Sequence, residues 1–101
     1  MNYSGTTKGG TLPDDESIVA EAVKLVTGER NQAYGSAFES FSRTGRMAGA
    51  MLHLDRDLTP REVAMFFILH KMSRETNTAK RDNRVDMIGF TILLDQVSEA
   101  P

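Results

Sequence analysis

Between Pro13 and Val97 apolar residues return every three or four positions, and nowhere do they alternate strictly with polar ones. That spacing is the signature of helical faces rather than strands. Four helices follow. The first is expected to open at Pro13 with Asp14, Asp15 and Glu16 in its first turn, where negative charge suits the helix dipole. Its stripe is Ile18, Ala22, Leu25 and Val26, and Thr27-Gly28 closes it. After a polar stretch from Glu29 to Gly35, the residues Phe38, Phe41, Gly45, Ala48 and Leu52 predict a second amphipathic helix. Its small residues Gly45, Ala48, Gly49 and Ala50 would let another helix come close.

The third helix has the clearest start. Thr59-Pro60-Arg61-Glu62 reads as a capping box with proline at the first helical position. Val63, Met65, Phe66, Phe67, Ile68, Leu69 and Met72 then make it apolar on nearly every side as far as about Arg74. The fourth helix, from near Arg81, carries Val85, Met87, Ile88, Phe90, Ile92, Leu93, Leu94 and Val97 and is equally apolar. The expected fold is all-α, a compact four-helix bundle-like domain over residues 13–99, preceded by a flexible N-terminal arm over residues 1–12. Two helices this apolar in a short chain also predict a homo-oligomer, since otherwise an apolar patch stays exposed.

Composition narrows the function. At 101 residues the chain is one domain, and it contains no cysteine, so neither a disulfide framework nor thiolate chemistry is available. A formal net charge of −2 argues against general nucleic-acid binding. No run is long enough to span a membrane, and the N-terminus lacks the pattern of a signal peptide, so a cytoplasmic protein is expected.

Three polar clusters interrupt the apolar helices. Asp82, Asn83 and Asp86 are spaced to share one face near the start of the fourth helix, with Gly89 continuing it and leaving room for a ligand or a helix. Helix capping is the plain alternative for the acids there. His70, Lys71 and Arg74 close the third helix, where they either complement its dipole or meet the phosphates of a ligand. Arg81 and Arg84 add charge nearby. The loop Gly28-Glu29-Arg30-Asn31-Gln32-Ala33-Tyr34-Gly35 offers Arg30 for phosphate or for capping, and Tyr34 for a base or for the core. An antiparallel arrangement would bring Glu39 towards Asp82 and Asp86, three carboxylates suited to magnesium.

The blocks Gly28-Glu29-Arg30 with Tyr34-Gly35, then Lys71 with Arg74, then Arg81-Asp82-Asn83 with Asp86 and Gly89-Phe90, resemble a family of small, mostly phage-encoded helical proteins. That family carries G-[D/E]-R-x-x-x-Y-G, K-x-x-R and D-N-x-x-D-x-x-G-[Y/F] in this order, and the match covers roughly residues 17 to 97. It is in turn distantly similar to the all-α, MazG-like nucleoside triphosphate pyrophosphohydrolases. Those hold magnesium with E-x-x-E on one helix and E-x-x-D on a later one. In this chain Asn83 stands at an acid position of the later motif, with Asp86 matching. Glu39 matches the earlier motif, but Ser42 replaces its second acid.

The resemblance and the clusters imply a phage protein that binds a nucleotide or nucleotide-derived signal and sequesters it against host defence. The expected ligand residues are Arg30, Tyr34, His70, Lys71, Arg74, Arg81, Asn83 and Asp86, with no cofactor required and the cytoplasm of an infected bacterium as the setting. The alternative is a Mg2+-dependent pyrophosphohydrolase with Glu39, Asp82 and Asp86 as metal ligands. A third reading is a non-catalytic structural or adaptor oligomer.

Overall fold

The computed structural model describes residues 17–28 and 35–98. They form four helices packed together, with no strand among the described residues: α1 (Ile18–Thr27), α2 (Ala37–Met51), α3 (Pro60–Asn77) and α4 (Arg81–Ser98). The expected start at Pro13 lies outside the described residues. Within them α1 begins after Ser17, whose hydroxyl accepts the Ala20 N–H at 2.9 Å. Ser36 caps α2 in the same way through the Glu39 N–H. The Thr59–Glu62 capping box of α3 is complete in both directions, and that helix runs three residues beyond Arg74 to Asn77. Each cap satisfies a backbone donor that the first helical turn leaves unpaired, a contribution of about 1 kcal/mol.

The fourth helix is central. α1, α2 and α3 all pack against it, and α2 also packs against α3. Phe41, Leu93 and Val85 are the largest fully buried side chains, each worth about 1.5–3 kcal/mol on removal from water. Aromatic rings tie three helices together. Phe67 of α3 meets the edge of Phe41 at 5.6 Å and stacks on Phe90 of α4 at 5.1 Å. Gly89 serves the helix contact: a Cβ there would stand 3.3 Å from Val26 of α1.

The buried face of α2 is rotated from the expected one. Ala37, Phe41, Gly45 and Gly49 are buried, while Phe38 and Leu52 are exposed. Its small residues receive a loop rather than a helix. The 56–58 backbone crosses directly over α2, with the Leu58 N–H donating to the Gly45 carbonyl at 3.1 Å. A Cβ at Gly45 would lie 2.0 Å from the Leu58 oxygen, and one at Gly49 would lie 2.6 Å from the Arg56 oxygen. The chain turns into this loop through His53, a left-handed residue at φ 57°. The Leu54 and His53 N–H groups donate to the Gly49 and Ala50 carbonyls, the pairing of a Schellman cap.

On α3 only Val63 and Ala64 are buried outright. The helix is therefore apolar on its packed side and on its open side, where Met65, Phe66, Leu69 and Met72 are exposed. Among the described residues no helix is long and apolar enough to cross a membrane.

Candidate functional site

The polar residues of the third and fourth helices converge at the turn that joins them. α3 ends with the Thr78 N–H donating to the Arg74 carbonyl, and α4 starts three residues later at Arg81. The two helices then run side by side in an antiparallel register that pairs Lys71 with Asp86, Arg74 with Asn83 and Glu75 with Arg84.

Asn83 is the centre of this corner. It is buried, at 4% exposure, and its amide uses both ends. Its Oδ1 accepts the Arg74 Nε–H at 3.3 Å. Its Nδ2 donates to the Glu75 carboxylate at 3.3 Å and to the Thr78 carbonyl at 3.4 Å. A buried polar side chain is stable only with such partners. The pattern needs an acceptor and a donor on one short side chain, which asparagine has and aspartate lacks. The choice of asparagine at this position is thus explained by what surrounds it here.

Glu75 is the second organiser, and sequence reasoning missed it. Its carboxylate accepts the Lys80 backbone N–H at 2.9 Å and the Asn83 amide, and pairs with the Arg84 guanidinium. These donors, the Lys80 N–H first, hold its carboxyl below the usual range. The signal was present as an acid lying between Lys71-x-x-Arg74 and Arg81-Asp82-Asn83, but nothing in spacing alone says that its oxygens turn back to cap the next helix.

An open cleft of about 330 Å³ lies at this corner, lined by Ser73, Arg74, Asn77, Thr78, Lys80 and Asn83. Of the residues expected to bind a ligand, it brings together Arg74 and Asn83. Lys80 joins them. Lys71 and Asp86 lie a turn further along the same helix pair and bind each other, Nζ to Oδ2 at 2.8 Å. His70 is exposed on α3. Arg81 is drawn away from the cleft to Glu21 of α1. Arg30 and Tyr34 lie outside the described residues.

The three carboxylates of the alternative reading do not gather. Asp82 and Asn83 differ in surroundings despite adjacent positions, Asp82 being exposed and Asn83 buried. Glu39 is engaged locally, accepting the Ser36 hydroxyl and standing beside Gly35. Asp86 is held by Lys71. Among the described residues no group of three or more histidine, aspartate or glutamate side chains is placed to hold a metal ion. Glu39, Asp82 and Asp86 therefore do not form a donor set that fits magnesium.

A family model described as a domain of unknown function, DUF6378, matches residues 17–98, which includes every residue of this corner. The chain belongs to the DUF6378 family. It is 33% identical over 87 residues to the Gene 55 protein of Mycobacterium phage D29, covering 85% of this chain and 56% of the phage protein. It is also 33% identical over 82 residues to the Gene 55 protein of Mycobacterium phage L5, covering 80% of this chain and 52% of that one. This DUF6378 chain therefore spans about half the length of the curated relatives it matches. No solved structure matches it. The expected small phage protein family is what these relatives show.

Proposed function

We propose that this chain binds a nucleotide or nucleotide-derived signalling molecule through its phosphates at the α3–α4 cleft, and holds it without turnover, as a sponge for a defence signal. One observation carries the reading. Arg74 is fixed by its Nε to the buried Asn83, and its two terminal nitrogens have no partner among the described residues. A guanidinium fixed at one edge, with its other donors open, is prepared for bidentate contact with a phosphate. The Lys80 ammonium, on the same cleft and likewise without a partner among the described residues, supplies a second positive charge. Ser73, Asn77 and Thr78 add neutral hydrogen-bonding groups around these two cations.

In this reading Arg30 and Tyr34 contribute a further phosphate contact and a base contact, as their sequence block suggests. Lys71 and Asp86 brace the helix pair beneath. Binding requires no cofactor, and the protein acts in the cytoplasm of an infected bacterium as a homo-oligomer. General nucleic-acid binding is not part of the proposal.

A thermal-unfolding screen against mononucleotides, cyclic nucleotides and ADP-ribose derivatives, with magnesium or with EDTA, tests it. A true ligand at about a hundred times its Kd stabilises by about 2.7 kcal/mol. That corresponds to a rise in Tm of roughly ten degrees or more in a domain this small. The rise is expected to persist in EDTA and to vanish in Arg74→Ala, with the ligand recovered intact by mass spectrometry. No rise with any of these compounds, or release of pyrophosphate, would overturn the proposal.

A further inference from the structure

The α3–α4 cleft differs from an ordinary basic surface in its balance of charge. Every residue that lines it is polar or charged, and the charged ones are both cations, Arg74 and Lys80. The charges around them are already used. Glu75 gives its carboxylate to the Lys80 N–H, the Asn83 amide and the Arg84 guanidinium. Lys71 and Asp86 bind each other, Arg81 binds Glu21, and the exposed Asp82 stands outside the lining. The cleft therefore presents two positive charges that no carboxylate of its lining offsets.

We infer that the cleft takes a terminal phosphate, a monoester with three free oxygens, and selects it over a cyclic or bridging phosphodiester. This rests on the phosphate reading proposed above and narrows its ligand class. The Arg74 Nε–H is spent on Asn83 at 3.3 Å, so only the two terminal nitrogens remain for a ligand. Their parallel N–H groups span two oxygens of one phosphate. A monoester keeps a third oxygen for the Lys80 ammonium, and its charge of about −1.5 to −2 at neutral pH matches the two cations. A diester has only two non-bridging oxygens and one negative charge. Arg74 takes both oxygens, which leaves Lys80 without a charged acceptor and the cleft with surplus positive charge. No lining residue is apolar or aromatic, so affinity gained here comes from the phosphate and not from a stacked base.

Calorimetric titration of the full chain with AMP, the phosphate methyl ester of AMP and cyclic AMP tests this at about pH 7.5, above the second ionisation of a monoester near 6. The three share base and sugar and differ at the phosphate. AMP is expected to bind at least about tenfold more tightly than either diester, the effect of one added charge-assisted contact. Lys80→Gln changes an exposed side chain with no partner among the described residues. It should bring AMP down to the level of the diesters and leave the diesters unchanged. Arg74→Ala, with unchanged helical content, should abolish binding of all three. A diester bound as tightly as AMP, or a preference for AMP that survives Lys80→Gln, would overturn this inference and leave the phosphate reading standing. Binding of none of the three also overturns it, and the proposed function falls with it only if the wider nucleotide screen is silent too.

Discussion

Lys71 of α3 and Asp86 of α4 meet at 2.8 Å, each with only a quarter or so of its side chain open, at 22% and 31% exposure. Each belongs to a different sequence block, and each invites a separate role when read alone. Joined, they are one interaction across the main helix contact. A double-mutant cycle should therefore show coupling. Lys71→Ala and Asp86→Ala are each expected to lower stability, and the double variant to lose about 1 kcal/mol less than the sum of the two. Urea unfolding of the four proteins measures this, and strict additivity would mean that the pair does not act together.

Asn83→Asp is expected to be more damaging than its size suggests. The new carboxylate keeps the Arg74 contact but loses the donor that served Glu75 and the Thr78 carbonyl, and it sets a second negative charge beside Glu75. A loss of roughly 2–4 kcal/mol at neutral pH follows from the buried, unsatisfied acceptors and like charge. Adding Glu75→Gln should recover part of it. If Asn83→Asp unfolds at the wild-type urea concentration, the amide is not the organiser of this corner.

Gly45→Ala tests the crossing of the loop over α2. On helix propensity alone, alanine should stabilise by up to about 1 kcal/mol. The Leu58 carbonyl oxygen 2.0 Å from the new Cβ reverses the sign, because backbone must move away. A net loss of roughly 2–3 kcal/mol is expected by thermal unfolding. A gain in Tm would show that the loop does not lie on the helix.

The acid limb of stability has a definite sign. The Arg56 guanidinium, with the Thr59 N–H, lowers the Glu62 carboxyl from 4.5 to about 2. A depressed folded value contributes stability that is complete above about 4.5 and is lost as pH falls towards about 2. Glu75 shifts in the same direction. Glu62→Gln keeps the capping box but gives up the ion pair with Arg56. Its Tm deficit should be largest at neutral pH and close as the pH nears 2; a deficit independent of pH would contradict the ion pair.

Much of the fold was legible in the chain because helices announce themselves locally. The three-four spacing located all four, Thr59-Pro60-Arg61-Glu62 marked the start of α3 almost to the residue, and Ser17 and Ser36 are ordinary caps once the stripes are known. The face that each helix buries was less legible. Phe38 and Leu52 fit the period of α2 as well as Gly49 does, and only the loop laid over Gly45 and Gly49 chose between them.

The candidate site divides in the same way. The sequence by itself determined which chemistry is present, namely Lys71, Arg74, Asn83 and Asp86 placed in two blocks of an all-helical chain of the DUF6378 family. Only the tertiary structure decided what each meets. It joined Lys71 to Asp86, turned Arg81 to Glu21, kept Glu39 away from a shared metal site with Asp82 and Asp86, and brought in Glu75 and Lys80. The physical reason is range. Helix formation and capping depend on neighbours within four residues, whereas a side chain's partner and charge environment depend on which helices pack and in what register, which no local spacing fixes.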